Sequence, residues 1–162
     1  MTQYEKDLKA VKQNGYALQY VKEQTPELCL AAVQQNGLIL KDVIKEQTPE
    51  ICLAAVKQND EALQYVKEQT PELCLIAVQK NGIILMDVKD QTSEICLAAV
   101  KQNGYAFLFV NKQTPELCLV AVKQDGLILQ YVKEQTPELC LIAVKQNGYA
   151  LGFIKNQTPE LC

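Results

Sequence analysis

Histidine, tryptophan and arginine are all missing from this 162-residue chain, so its 16 basic residues are lysines. Without histidine there is no side chain whose ordinary pKa suits general-base work near neutrality, and no imidazole for a zinc site. Long apolar runs are missing too. The longest reach six to seven residues, as in Leu73–Val78, against the roughly 20 that a membrane-spanning helix needs. There is no glycine-rich phosphate loop, no Pro/Gly/Ser linker and no long charge run. The opening residues, Met1-Thr2-Gln3-Tyr4-Glu5, have neither the basic start nor the apolar stretch of a signal peptide. The cytoplasm is therefore the expected compartment. A net charge of −3 and a pI near 5.1 argue against binding a phosphate backbone, and −3 is too mild for a nucleic-acid mimic.

What the chain does have is a beat. Versions of Gln-Thr-Pro-Glu-Leu-Cys begin at Gln24, Gln47, Gln69, Gln91, Gln113, Gln135 and Gln157, separated once by 23 residues and then five times by 22. A fixed period of this length marks a stacked array whose units bury their apolar faces against their neighbours. The seven cysteines, Cys29, Cys52, Cys74, Cys96, Cys118, Cys140 and Cys162, fall one per repeat in one register. Equivalent residues of packed helices lie roughly 10 Å apart, beyond the ~7 Å limit for a disulfide. They read as reduced, buried, small hydrophobes, and no metal or cofactor is expected.

Residues 25–47 serve as the type repeat. Thr25 suits the N-cap, Pro26 the first helical position and Glu27 the positive end of the helix dipole. The spacing predicts an α-helix A of about eleven residues that places Cys29, Leu30, Ala32 and Val33 on one core face and ends at Gly37 in the left-handed conformation. The alanine at position 32 is never enlarged in later repeats (Ala55, Ala77, Ala99, Ala121, Ala143), which predicts close helix approach. A helix B of eight or nine residues follows. Ile44 reads as the extra residue behind the single longer spacing, absorbed at the turn from B to A. Asp60 replaces the glycine in one repeat and Ser93 the proline in another, and both hairpins are expected to survive.

A longer period lies inside the short one. Helix B starts Tyr16-Ala17-Leu18, Leu38-Ile39-Leu40, Glu61-Ala62-Leu63, Ile83-Ile84-Leu85, Tyr105-Ala106-Phe107, Leu127-Ile128-Leu129 and Tyr149-Ala150-Leu151. The fold expected is all-α: an α-solenoid of about seven stacked 22-residue αα-hairpins with a 44-residue super-period. It forms one repeat domain over 1–162. Residues 1–23 form a polar capping repeat, with Lys6, Asp7 and Lys9 in place of Leu28, Cys29 and Ala31; 24–156 form the regular repeats; 157–162 form a truncated eighth. The uncapped C-terminal end is expected to self-associate or fray.

The string Ala-Val-Lys-Gln-Asn-Gly-Tyr-Ala-Leu-Gln-Tyr-Val at Ala10–Val21, with variants at Ala55–Val66, Ala99–Val110 and Ala143–Ile154, resembles the helical repeats of domain-of-unknown-function family 4116. The resemblance covers nearly the whole chain. It implies a helical repeat fold, phage-related and viral sources, and no assigned activity, so it brings no catalytic residue.

An enzyme is not expected. The thiols sit near helix N-termini, which lowers a thiol pKa, but they lie on the buried face without a partner base. The function read from the surface is a protein-interaction scaffold binding a protein partner through helix B. The aromatic pairs Tyr16 with Tyr20, Tyr105 with Phe109 and Tyr149 with Phe153, together with Tyr65, are the candidate binding residues. Each pair is spaced i,i+4, one face of an α-helix, and tyrosine is enriched at binding hot spots. An alternative, resting on the family's phage-related members, is an inhibitor of a host defence complex, anti-CRISPR-like, acting by direct binding in the host cytoplasm. A further alternative is a nucleic-acid-binding array using the amide-rich columns Lys12-Gln13-Asn14, Lys57-Gln58-Asn59, Lys101-Gln102-Asn103 and Lys145-Gln146-Asn147.

Overall fold

The computed structural model describes residues 1–41 and 44–156. Among them the chain alternates α-helices with 3₁₀-helices and contains no strand. The α-helices are α1 (Gln3–Gln13), α2 (Pro26–Gln35), α3 (Pro49–Gln58), α4 (Pro71–Lys80), α5 (Ser93–Gln102), α6 (Pro115–Gln124) and α7 (Pro137–Gln146). The 3₁₀-helices are η1 (Gly15–Tyr20), η2 (Gly37–Leu40), η3 (Asp60–Tyr65), η4 (Gly82–Asp87), η5 (Gly104–Phe109), η6 (Gly126–Tyr131) and η7 (Gly148–Phe153). The second element of each repeat is thus a 3₁₀-helix of four to six residues, not an α-helix of eight or nine. So short a segment gains little from α-type bonds, and the tighter winding suits it.

The chain divides into two compact units, Met1–Ala77 with Asp87–Lys89, and Val78–Met86 with Asp90 onward. In the first, α1 packs on α2, α2 on α3, and η2 lies beside η3; in the second, α5, α6 and α7 pack in sequence, as do η5, η6 and η7. Each unit is a stack of helix–turn repeats with an α layer and a 3₁₀ layer. This is the all-α solenoid class.

The α-helices start as their sequence dictates. Thr25, Thr48, Thr92, Thr114 and Thr136 are N-caps whose hydroxyls accept from the amides of Leu28, Ile51, Ile95, Leu117 and Leu139. The cap at Thr92 is intact although Ser93 replaces proline. In α1 the same role belongs to Thr2, here in a full capping box with Glu5. That helix buries only Val11.

Helix exit differs from expectation. No glycine has a positive φ, and the C-cap is Asn36, in extended conformation, with Gly37 opening the next helix. The glycine is there for space. A Cβ on Gly37 would stand less than 3.0 Å from the Ala55 carbonyl oxygen, and Gly82 and Gly126 face Ala99 and Ala143 in the same way. The glycine of one repeat and the alanine of the next are two halves of one close backbone approach.

The α-layer core is formed by the Leu28, Cys29, Ala32 and Val33 columns, buried throughout except at Val144, while Leu30 and its counterparts Leu53, Leu75, Leu97 and Leu119 are only half-buried. The core face is therefore rotated from the expected one, taking in position 28 and releasing position 30. In the 3₁₀ layer the 44-residue period is a packing alternation. Buried alanine (Ala62, Ala106, Ala150) alternates with buried isoleucine (Ile39, Ile84, Ile128). Ile39 and Ile128 reach back toward Gly15 and Gly104 of the preceding repeats, so small and large side chains interdigitate.

Ile44 is not the extra residue. It is buried in the column of Val21 and Val66, and Lys45 pairs with Gln24 as Lys67 pairs with Gln47. The insertion precedes it. The expected eighth repeat, 157–162, and Asp42 lie outside the described residues.

Candidate functional site

The seven expected binding aromatics all lie in the 3₁₀ layer, with unequal exposure. Tyr20 and Tyr149 are 81% and 85% exposed, Tyr16 and Tyr105 about half that at 44% and 45%, and Phe153 37%. Tyr65 and Phe109 are half-buried. At three residues per turn, positions i and i+4 diverge by about 120° and it is i and i+3 that eclipse. The i,i+4 pairing therefore does not place Tyr16 beside Tyr20, nor Tyr105 beside Phe109. Five further large apolar side chains, Met1, Met86, Leu108, Tyr131 and Leu141, are more than two-fifths exposed. Tyr131 shares a column with Tyr20, Tyr65, Phe109 and Phe153, and Leu141 stands in an unbroken leucine column, so residue type did not mark their exposure; Met86 and Leu108 stand where other repeats carry Gln19, Lys41, Gln64 and Gln130.

Some of the aromatics are tied down. The Tyr105 hydroxyl donates to Asp125 Oδ2 at 2.7 Å, and this bond to a carboxylate pushes the phenol pKa up. Tyr4 donates to Glu27 in the same manner, with the same effect on its pKa. Lys41 Nζ sits 5.6 Å from the centre of the Tyr65 ring, within cation–π range.

The polar side chains that looked free are engaged inside the array. Gln69 Nε2 donates to the carbonyls of Leu63 and Asp87 while its Oε1 accepts from Lys89 N. Gln91 does the same with Leu85, Phe109 and Asn111, and Gln135 with Leu129, Phe153 and Lys155. These motif glutamines staple one connector to the next. A second staple lies at the other end of the α-helices, where Gln58, Gln102 and Gln146 accept from Gly37, Gly82 and Gly126 N at 2.6–2.7 Å. Asn14, Asn59, Asn103 and Asn147 accept from the amide two residues on. Most of the amide column set out for nucleic acid is thus consumed in joining and capping.

The thiols are structural in their surroundings. Cys29, Cys52, Cys74, Cys96, Cys118 and Cys140 are free and buried; Cys162 lies outside the described residues. Burial pushes the pKa of Cys29, Cys52, Cys96, Cys118 and Cys140 up, overriding the lowering expected from the helix N-terminus. Cys52, Cys96 and Cys140 point their sulfurs at the Oε1 of Gln47, Gln91 and Gln135 at 3.6–4.0 Å. Among the described residues no cluster of His, Cys, Asp or Glu could hold a metal, and no helix is long and apolar enough to cross a membrane.

Two grooves complete the surface. One, of about 530 Å³, opens between the first turns of α3 and α4; the other, of about 510 Å³, between those of α6 and α7. Their linings correspond position for position, Pro49, Cys52, Leu53 and Leu73 matching Pro115, Cys118, Leu119 and Leu139.

With the repeats laid out, the comparison with known families is direct. The model of the family described as Domain of unknown function (DUF4116) matches residues 8–47, 25–70, 48–93, 70–114, 92–135 and 114–157. The chain belongs to this family. Each match spans about two repeats, and successive matches overlap by about one. No curated protein and no solved structure matches the chain.

Proposed function

We propose that this DUF4116 protein is a non-catalytic interaction scaffold that binds a protein partner through its 3₁₀ layer. The observation that carries the reading is the exposure of Tyr20 and Tyr149, more than four-fifths open on elements whose carbonyls accept from the motif glutamines Gln24 and Gln135. Exposed tyrosine on a fixed frame offers large contact area at low entropic cost. The buried thiols with raised pKa support the non-catalytic part, since the thiolate is the nucleophile. The engagement of the motif and helix-end glutamines weighs against nucleic-acid reading. A cytoplasmic inhibitor of a defence complex is a special case of the same binding.

The test is capture from host lysate with the wild-type chain and with Y20S/Y149S. Both positions are exposed, so stability should hold within about 0.5 kcal/mol. A partner retained by wild type and lost by the folded variant supports the reading. A partner retained equally by both moves the interaction off this surface.

A further inference from the structure

The two grooves share an apolar floor and differ in charge. Around the α3–α4 groove stand Glu50, Glu68 and Glu72 against a single ammonium, Lys67. The α6–α7 groove is lined by Glu134 and Glu138 against Lys112 and Lys133, with Glu116, the counterpart of Glu50, next to Pro115, so it is the less acidic of the two. Glu50, Glu68 and Glu72 are exposed, and among the described residues none of them is in an ion pair. Three carboxylates against one ammonium around an apolar opening leave a net negative field that a cation on an apolar ligand satisfies. The volume lies within the ~300–1,000 Å³ of ordinary ligand clefts and takes two or three side chains. The half-buried Leu53 gives the floor a contact that the α-layer core does not use up.

We infer that the α3–α4 groove is a docking site for an extended peptide segment in which leucine-like side chains alternate with lysine or arginine. The apolar side chains rest on Pro49 and Leu53, and the cations face Glu50, Glu68 and Glu72. The less acidic α6–α7 groove has the same floor with a weaker charge preference, and so binds such a segment more weakly. This site is separate from the tyrosines of the 3₁₀ layer, so either can fail without the other.

The probe is a fluorescein-labelled peptide, Gly-Lys-Leu-Lys-Leu-Arg-Gly, with a control carrying glutamate at each basic position. Both are titrated into the full chain by anisotropy and by ¹⁵N–¹H NMR. The basic peptide should bind saturably below about 1 mM, perturb amides around Gln47–Leu53 and Lys67–Leu73, and weaken as salt rises. E50Q/E72Q should weaken it roughly fivefold or more, and Y20S/Y149S should leave it unchanged. A gain-of-site variant guards against a fold artefact: K112E makes the α6–α7 groove more acidic and should create a second set of shifts there. Equal binding of the acidic control, no saturable binding, or equal binding at both grooves of the wild-type chain overturns the inference.

Discussion

The α layer and the 3₁₀ layer of the same repeats obey different rules. In the α layer the alanine and valine after the cysteine recur without enlargement and are almost entirely buried, while the 3₁₀ layer swaps tyrosine for leucine or glutamate from one repeat to the next. The reason is spacing. The α-helices pack directly on one another, and the glycine–alanine approach leaves no room for an added methyl. The 3₁₀-helices are set in place by glutamine side chains from the connectors, which hold backbone to backbone whatever the residue beside them. Both layers bury apolar side chains, but the 3₁₀ layer is also tied by connector glutamines and carries the most exposed aromatics, while the α layer offers its half-buried leucines to the grooves.

The sharpest way to break this comparison is to add a methyl at the glycine. In G37A the new Cβ meets the Ala55 carbonyl, which is backbone and cannot rotate away. The cost should be about 3 kcal/mol, a fall in Tm of roughly 10 °C. G148A meets nothing within 4 Å, and no glycine has a positive φ, so it should be neutral or slightly stabilising. Equal Tm losses in the two variants would mean that the glycines serve the turn and not the approach.

Hydrogen-bond fixation of the 3₁₀ layer predicts a smaller effect. Q91L leaves the Leu85 and Phe109 carbonyls and the Asn111 amide without their shared partner, at about 2 kcal/mol. Q130L removes only a bond within its own element, to Leu127, and should stay within about 0.5 kcal/mol. Denaturant midpoints decide it, and amide exchange should quicken at Asn111 in Q91L alone.

The two layers also differed in how legible they were. Threonine caps, first-turn prolines and the buried cysteine column follow from rules local to one helix, so the α layer could be read almost residue by residue. The exchange of Leu28 for Leu30 in the core is a phase error of two residues on a wheel with apolar residues nearly all round. The 3₁₀ winding was hidden because six residues with a mixed pattern fit either helix. It carried the i,i+4 pairing of the tyrosines away with it. The glutamine staples were invisible for a deeper reason: an amide acts across repeats only at a particular inter-repeat distance, which a single repeat does not encode. The grooves lie between helices and share that defect.

The smallest expected effect concerns the one titratable group that the α layer buries. Burial raises the pKa of Cys29, Cys52, Cys96, Cys118 and Cys140, so the unfolded chain gives up these protons first as pH rises. The unfolded thiol titrates near ~8.5. Each thiol's contribution is then fully present below that pH and is lost as pH climbs through the higher folded value. Stability should be flat around neutrality and decline in alkali, and C96A should flatten the decline by its own share while costing about 1 kcal/mol at pH 7. Urea midpoints at pH 7 and pH 9.5 measure both. In the 3₁₀ layer the hydrogen bond to Asp125 likewise raises the pKa of Tyr105, so Y105F separates the two layers: an alkaline slope unchanged in Y105F and reduced in C96A assigns the loss to the buried thiols.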